Sequence, residues 1–247
     1  MFRGLRVAVV VPAFQEERHV GRTLGGIPAC ADAIYLVDDA STDATSTEAR
    51  ATPDRRVRVL RHEQNRGVGA AIVTGYRAAL ADRIELVAVM AGDDQMAPDD
   101  LEVLLAKLCD ADADYAKGNR FVHPAARDMP LGRRLGGKAL ALLTRLATGL
   151  SIDDSQCGFT ALSAAAARAL PLDELWPRFG YPNDLLGMLA SRGLRVVDVP
   201  VRPVYADERS GIRAWHVVSI AGIISRRWWR ERATRVDASA VVPETGS

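Results

Sequence analysis

Cysteine and histidine are scarce in this 247-residue sequence, and neither residue type is clustered. The three cysteines, Cys30, Cys109 and Cys157, are odd in number and show no CxxC spacing. The four histidines are scattered, with no two at a spacing that would share one helix face. These absences argue against a disulfide framework and against a Cys/His metal centre, so we expect reduced thiols in the core of a cytosolic protein.

Long apolar runs and an excess of one charge are also missing. No apolar run reaches the roughly 18 residues of a spanning helix, and the first residues carry no small-residue cleavage site. The formal net charge is +1, without a block of like charges. We therefore expect a cytoplasmic protein that has no secretion signal and no spanning helix and that does not bind nucleic acid.

What the sequence does contain is a series of short apolar runs that end at polar residues. Residues 7–11, 34–37 and 86–90 are such runs, and segments of helical character lie between them. Continuous apolar runs of this length are typical of strands buried on both faces of a parallel sheet. At 247 residues and 48% hydrophobic content, the chain can form one large α/β domain or two small ones.

Two of these predicted strands end at paired carboxylates. Asp38 and Asp39 follow the second run, and Asp93 and Asp94 follow the run at 86–90. Parallel strands end at one edge of their sheet, where open α/β folds bind ligands, and carboxylates there suit a divalent cation with phosphate. The alternative is that Asp93 and Asp94 only begin a turn before the next helix. Ser41 and Thr42 are expected to cap the helix after the second strand.

Glycines precede the helix that is predicted from about residue 70 to residue 80. Gly67 and Gly69 would let backbone approach a phosphate or ribose, although such a pair also simply begins many helices. No GxGxxG follows the first strand, which excludes the dinucleotide-binding pattern.

The second half contains a further strand at 115–119, an irregular basic stretch, and a helix predicted at 138–148. The basic residues are Arg127, Arg133, Arg134 and Lys138, which are a phosphate-binding cluster or a solvated basic face. A turn at 153–159 enters another strand, a helix covers 182–192, a strand covers 196–199, and a charged loop covers 205–211.

Four motifs occur in order and at workable spacing. They are Val11-Pro12-Ala13-Phe14-Gln15-Glu16-Glu17, Val37-Asp38-Asp39-Ala40-Ser41-Thr42-Asp43, Asn65-Arg66-Gly67-Val68-Gly69 and Gly92-Asp93-Asp94-Gln95. Together they resemble the family 2 glycosyltransferases of GT-A fold, most closely the polyprenyl- or dolichyl-phosphate sugar transferases. The resemblance implies an α/β GT-A domain over residues 1–211, with a mostly parallel central sheet and helices on both faces.

The same resemblance implies a nucleotide diphosphate sugar as donor and Mg²⁺ or Mn²⁺ as cofactor. The positions matched to the donor are Pro12, Phe14, Glu16, Asp39, Ser41, Gly67, Gly92 and Asp94. The positions matched to the metal are Asp93 and Gln95. The family usually has Asp-X-Asp, and Ala91 stands at the first of those positions, so one ligand is missing. Either Asp93 holds the cation with Gln95 or Asp94 and oxygens of the diphosphate, or metal dependence is weaker or absent.

The positions that the resemblance places nearest the reaction are Asp93, Asp154, Arg120, Arg133 and Arg209. It implies inversion and a polyprenyl phosphate as acceptor. A phosphate acceptor is already ionised and needs no strong base, whereas a hydroxyl acceptor would need Asp154 or Asp184 to take its proton. Either carboxylate is instead a cap or a salt-bridge partner in the alternative interpretation.

The last predicted element is an amphipathic helix at 212–232, followed by a disordered tail at 233–247. Its tryptophans and arginines suit the headgroup region of the inner membrane face, and the alternatives are a helix packed on the domain or in a homodimer interface. Competing functions are transfer to a hydroxyl of a small molecule or glycan, and a nucleotide-sugar-binding module without turnover. A nucleotidyltransferase is a weaker alternative, because this sequence lacks the glycine-rich basic signature that such an enzyme would need after the first strand.

Overall fold

This computed structural model describes residues 1–204, 220, 222–223 and 225–227. Within that part of the chain the strands are β1 (Val7–Ala13), β2 (Ala33–Asp38), β3 (Val57–Arg61), β4 (Leu86–Val89), β5 (Tyr115–Asn119), β6 (Thr160–Ser163) and β7 (Val196–Pro200). They form one sheet in the order β3-β2-β1-β4-β6-β5-β7. Only the two pairings made by β6 are antiparallel. The predicted mostly parallel sheet is confirmed.

The helices of the described residues are α1 (Val20–Gly26), α2 (Thr45–Ala51), α3 (Val68–Ala81), α4 (Asp100–Asp110), α5 (Leu131–Thr148), α6 (Ala164–Ala169) and α7 (Tyr181–Ser191). Short 3-10 helices cover Pro124–Asp128 and Leu172–Glu174. In one core, α1, α2 and α4 pack on the sheet, and in the other core α3, α6 and α7 pack on its opposite face. Helices on both faces were predicted, and this prediction is also confirmed.

β1 shows why these strands have continuous apolar runs. Val9 and Val11 belong to the core formed with α1 and α4, whereas Ala8 and Val10 belong to the core formed with α3 and α7. Every residue of β1 is buried. A central strand covered on both faces has no solvent-facing positions, so its sequence cannot alternate between apolar and polar residues.

The structure corrects two predictions of local structure. The helix predicted at 138–148 begins earlier, at Leu131, so the basic stretch is helical rather than irregular. Gly137 lies inside this helix, and a Cβ there would lie 2.6 Å from Cζ of Phe121, which gives this glycine a packing role. Ser41 and Thr42 do not cap α2. That helix begins after Ala44, and Asp43 accepts a hydrogen bond from the Thr45 amide at 3.0 Å.

Parts of the predicted helix at 212–232 are described, and their buried side chains contact the domain. Ile220 packs with Leu140 of α5, and a Cβ on Gly180 would lie 2.6 Å from Ile223. The rest of that helix and the tail at 233–247 lie outside the described residues. Among the described residues, no helix combines the length and the apolar character needed to cross a membrane.

Candidate active site

The carboxyl ends of β1, β2, β3 and β4 meet at one edge of the sheet, and the segments after them are tied together. After β1, Gln15 donates from its amide to Oγ of Ser41 at 3.0 Å and from its side chain to Oγ1 of Thr42 at 2.9 Å. The Glu16 amide donates to Oγ1 of Thr45 at 2.8 Å. These bonds join the first two motifs of the sequence into one surface.

Asp39 connects three of these segments. Its carboxylate accepts from the amides of Arg66 at 2.8 Å and Gly67 at 2.7 Å, and it lies 2.7 Å from Nδ1 of His62. His62 in turn contacts Oγ1 of Thr74 through Nε2 at 2.9 Å. The side chain of Asp39 is buried, so its first role is to hold the loop before α3 against the end of β2.

Asp38 is fully buried beside Asp39, in a different environment. It accepts from the amide of Ser41 at 2.8 Å and from the hydroxyl of Ser46, and Arg61 lies 3.2 Å away. Burial by itself would raise the pKa of Asp38, but the hydrogen bonds from Ser41 and Ser46 outweigh it and lower that pKa. Asp38 is therefore ionised at neutral pH and fixes the turn after β2.

Gly67 and Gly69 are required by the chain itself. Gly67 has φ of +94°, and a Cβ there would lie 2.4 Å from the carbonyl oxygen of Pro177. A Cβ on Gly69 would lie 2.3 Å from the carbonyl oxygen of Trp176. The Gly69 amide donates to Pro177 at 2.8 Å, so the segment before α7 caps the start of α3. The expected approach of Gly67 to a nucleotide stays a prediction.

The turn after β4 carries Asp93. Thr23 of α1 holds this turn, because its hydroxyl donates to the Gly92 carbonyl at 3.2 Å and accepts from the Asp94 amide at 3.2 Å. Asp94 pairs with Nε of Arg22 at 3.0 Å. Asp93 is partly buried and accepts from the Gln95 amide at 3.2 Å. The turn therefore presents Asp93 at the same edge as Asp39, with β1 between them.

The donor set of this turn fits a hard divalent cation when the substrate supplies ligands as well. Among the described residues, no group of three or more His, Cys, Asp and Glu side chains lies close enough to hold a metal ion. Asp93 and Gln95 nevertheless provide a carboxylate and an amide oxygen in one turn. Mg²⁺ is commonly held by one or two carboxylates together with water and substrate phosphates. Because Ala91 supplies no ligand, Asp93 would be the one carboxylate of such a site.

At the same edge, the partly buried Arg120 pairs with the fully buried Asp154. Arg120 follows β5 and donates from Nε and a terminal nitrogen to the two oxygens of Asp154, at 2.7 Å and 3.0 Å. Burial would raise the pKa of Asp154, but Arg120 and then Lys117 outweigh it and lower that pKa. The carboxylate is therefore a weak base, and the two predicted site residues are joined to each other.

Behind this pair lies a second buried group of charges. Lys117 is fully buried and donates to the Cys157 carbonyl at 2.6 Å, and burial lowers its pKa. Asp198 of β7 accepts through Oδ2 from the Asn119 side chain at 3.0 Å and from the Asp153 amide at 2.7 Å. Its buried Oδ1 has no hydrogen-bond partner among the described residues, and burial raises the pKa of Asp198 to about 6.

Asp184, the other carboxylate considered as a base, is also held by an arginine. Arg227 donates to its two oxygens at 2.8 Å and 3.0 Å, and the Trp176 amide donates to it at 2.8 Å. Both Asp184 and Arg227 are buried. In this structure, Asp154 and Asp184 are therefore both salt-bridge partners of arginines.

The remaining predicted residues are distributed unevenly. Pro12 is buried in β1, Phe14 is exposed at the strand end, and Glu16 is partly buried in the loop joined to α2. Arg133 lies in the first turn of α5, not at the end of a strand. Arg209 lies outside the described residues.

Sequence reasoning missed four residues that build this edge: Gln15, Thr23, His62 and Trp176. His62 directly follows β3, so its position at the end of a predicted parallel strand was the available signal. Thr23 and Trp176 reach the site only through tertiary packing, and no local pattern marks them.

Comparison with known proteins identifies the family of this chain. The model of glycosyl transferase family 2 matches residues 8–159, which include β1 except its first residue, β2 to β5, and the segments that carry Asp39, Gly67 and Asp93. The chain belongs to glycosyl transferase family 2. The resemblance stated from the four motifs is confirmed, and the protein is a glycosyltransferase.

Two relatives cover most of the chain. A UDP-N-acetylglucosamine–dolichyl-phosphate N-acetylglucosaminyltransferase of Methanococcus voltae is 26% identical over 81% of this chain and 86% of its own length. An undecaprenyl-phosphate mannosyltransferase of Micrococcus luteus is 29% identical over 91% of this chain and 94% of its own length. Each match therefore extends over most of both chains.

Solved structures establish the fold of this family 2 chain. Glucosyl-3-phosphoglycerate synthase from Mycobacterium tuberculosis, crystallised with Mn²⁺, uridine diphosphate and phosphoglyceric acid, matches with a TM-score of 0.69. The match covers 98% of this chain and 81% of that one, at 19% identity. The predicted GT-A fold is therefore confirmed.

Proposed function

We propose that this glycosyltransferase transfers the sugar of a nucleotide diphosphate sugar to a polyprenyl phosphate, with inversion at the anomeric carbon. An oxygen of the acceptor phosphate attacks the anomeric carbon, and the bond from that carbon to the nucleoside diphosphate breaks. Nucleoside diphosphate and polyprenyl phosphate sugar are then the products. The names of the two relatives support this class of acceptor.

The observation that carries the choice of acceptor is the state of the two candidate bases. Asp154 and Asp184 each lie fully buried in a two-point pair with an arginine, and the pKa of Asp154 is lowered. A hydroxyl acceptor would need one of them to remove a proton. A phosphate acceptor is ionised at pH 7 and needs no such base, so the pairing fits a phosphate.

In this proposal each part of the site has a stated role. The loops joined by Gln15 and Asp39 would hold the nucleoside, and Asp93 with Gln95 would hold Mg²⁺ or Mn²⁺ on the diphosphate. That cation, when bound, would neutralise charge on the departing nucleoside diphosphate. Arg120, oriented by Asp154, would face the phosphates with a planar set of donors.

Product extraction tests the proposal directly. Uridine diphosphate sugars come first, because one relative is named for such a donor and the solved neighbour contains uridine diphosphate. Labelled donor and undecaprenyl phosphate in detergent should give label that moves into an organic phase, with release of nucleoside diphosphate.

Two other outcomes would decide against this function, and a third would decide against the role of the metal. Nucleoside diphosphate release with only water-soluble labelled product would indicate a hydroxyl acceptor. A second outcome is that calorimetry shows binding of uridine, guanosine or thymidine diphosphate sugars but none of them releases nucleoside diphosphate. This outcome would indicate a binding module. Release that is identical with and without Mn²⁺, also after chelation, would remove the metal from the mechanism.

A further inference from the structure

Asp198 of β7 ties together the two segments that carry Arg120 and Asp154. Its Oδ2 accepts a hydrogen bond from the side chain of Asn119, at the end of β5, at 3.0 Å. The same oxygen accepts from the backbone amide of Asp153 at 2.7 Å. Asn119 directly precedes Arg120, and Asp153 directly precedes Asp154. One carboxylate oxygen therefore holds the residue just before each member of that ion pair.

The hydrogen bonds continue from these two residues into the edge of the site. Oδ1 of Asn119 accepts from the Phe121 amide at 3.1 Å, so both polar atoms of the Asn119 side chain are bonded. Asp154 accepts from the backbone amides of Arg120 and Gln156, each at 3.2 Å, as well as from the Arg120 guanidinium. The backbone of both segments is thus bonded to side chains of a single network.

The base of this network is a strand and not a loop. β7 pairs in parallel with β5, and in their register Asp198 stands opposite Lys117. Lys117 is fully buried and donates to the carbonyl of Cys157 at 2.6 Å, so it holds the far part of the same turn. Side chains on strands hold a site more precisely than side chains on loops, because the sheet fixes their backbone.

The two oxygens of Asp198 are used unequally. Oδ2 accepts both hydrogen bonds, whereas the buried Oδ1 has no hydrogen-bond partner in the part of the chain that the structure describes. An asparagine at this position would offer one carbonyl oxygen to the same two donors. The hydrogen bonds and the negative charge of Asp198 can therefore be removed separately, by alanine and by asparagine.

We propose that Asp198 is a positioning residue of the transferase: by holding Asn119 and Asp153, it sets the place of the Arg120 guanidinium against the acceptor phosphate. The inference rests on the proposed function, in which Arg120 faces the phosphates. The nucleoside site of that function lies after β1, β2 and β3, on the other side of β4 in the sheet. Loss of the Asp198 hydrogen bonds should therefore impair use of the acceptor and spare nucleoside binding.

Steady-state kinetics of the full chain, with labelled donor and a prenyl phosphate in detergent, test this role. Asp198→Ala removes both hydrogen bonds, and kcat/KM for the acceptor should fall by about tenfold or more, because a contact between charged groups is displaced. Nucleoside diphosphate affinity, measured by calorimetry, should stay close to that of the wild type. Asp198→Asn should restore most of the lost kcat/KM.

Asp114→Ala is the matched control. Asp114 directly precedes β5 and accepts from the amide of Arg195, directly before β7, at 2.8 Å. The control thus removes a bridging carboxylate from the same pair of strands at their other end, and it should leave kcat/KM for the acceptor unchanged. Asn119→Ala breaks one arm of the network without altering Asp198. It should lower kcat/KM in the same direction, which keeps the test decisive if Asp198→Ala does not fold.

Amide hydrogen exchange measures the positioning without any acceptor. Asp198→Ala should speed exchange at the amides of Arg120, Phe121 and Gln156, which do not themselves bond to Asp198. Asp198→Asn should restore most of their protection. Faster exchange that is confined to Asp153, which loses its own acceptor, would show a purely local role and overturn the proposal.

The kinetic results can also overturn it. A folded Asp198→Ala protein with wild-type kcat/KM would do so, and so would a fall in nucleotide affinity as large as the fall in kcat/KM, which would describe a general loosening of the domain. An asparagine variant as impaired as the alanine variant would show that the charge matters and not the hydrogen bonds.

The products separate this inference from the proposed function. If the wild type makes only water-soluble product, the acceptor proposal fails, and the amide exchange pattern together with the order of the variants in nucleoside diphosphate release still decides the role of Asp198. If lipid product forms in Asp198→Ala with wild-type kinetic constants, the positioning role fails and the acceptor proposal stands.

Discussion

At the scale of single residues, Asp39 receives hydrogen bonds from two backbone amides of the loop before α3 and contacts His62. Asp39→Asn places an amino group against one of these donors, so we expect a loss of about 1–3 kcal/mol in the free energy of unfolding. The loosened loop should also weaken nucleoside diphosphate binding without metal. Denaturant titration and calorimetry measure the two effects, and unchanged nucleotide affinity in a destabilised variant would limit Asp39 to structure.

Asp93 is expected to act on the diphosphate through the cation. Asp93→Ala should remove most of the gain in nucleoside diphosphate affinity that Mn²⁺ gives to the wild type, and most turnover with it. Asp99→Ala is the control, because Asp99 is an exposed carboxylate a few residues further along. Calorimetry with and without Mn²⁺ reads the difference, and an equal metal response in wild type and Asp93→Ala would contradict the assignment.

Asp198 gives a pH dependence whose sign follows from its burial. Its pKa is about 6 in the folded protein, above the value of about 3.9 of an unfolded aspartate. The folded state therefore binds the proton more tightly, and the contribution of Asp198 to stability is greatest below about pH 4 and is lost as pH rises through about 6.

The variant Asp198→Asn should lack this component. The difference in unfolding free energy, wild type minus variant, should fall by about 2 kcal/mol between about pH 4 and about pH 7. Denaturant titrations across that range test it. A difference that does not change with pH would mean that Lys117, buried beside Asp198, keeps the carboxylate ionised throughout.

At the scale of elements, the start of α3 packs closely against the segment before α7 because Gly69 has no side chain. A Cβ on Gly69 would lie 2.3 Å from backbone of Trp176, so Gly69→Ala should force the two segments apart and cost about 1–3 kcal/mol. Gly136 in α5 has open space around the same position, and Gly136→Ala should stabilise by up to about 1 kcal/mol. Thermal melts of the two variants should therefore shift in opposite directions, and a shift in the same direction would contradict this packing.

The elements also show where sequence reasoning works in this chain. The strands of the first half were predictable because each is buried on both faces, which leaves a continuous apolar run between polar ends. The start of α5 was not, because Gly136 and Gly137 resemble a loop, and the reason for Gly137 is Phe121, which only the folded chain brings near. Ser41 resembled a helix cap but bonds to Gln15 instead.

The candidate site divides in the same way. Asp39 and Asp93 could be placed at one sheet edge from the sequence, since the carboxyl ends of parallel strands coincide. The pairing of Asp154 with Arg120, and of Asp184 with Arg227, depends on contacts across 34 and 43 residues of sequence. No local pattern predicts such pairs, so the two carboxylates looked alike as bases or salt-bridge partners.

At the scale of the whole molecule, the carboxyl-terminal segment is bound into the domain through Arg227. Arg227→Ala leaves Asp184 buried without its arginine, and we expect a loss of about 3–5 kcal/mol. Arg226 stacks on Trp176 at 5.1 Å, so Arg226→Ala is a milder control, at about 1 kcal/mol. Truncation after residue 211 should destabilise at least as much as Arg227→Ala, and a truncated protein with wild-type melting temperature would show that Arg227 contributes nothing.

The antiparallel strand β6 has a consequence for how this protein is made. It lies between β4 and β5, but it is synthesised well after both of them. While a ribosome adds the intervening residues at about 5–20 per second, the outer edge of β4 has no partner for several seconds. An apolar, unpaired strand edge is a template for association between chains. The nascent chain should therefore need a chaperone most between completion of β4 and emergence of β6, and release from it should coincide with the arrival of Thr160–Ser163.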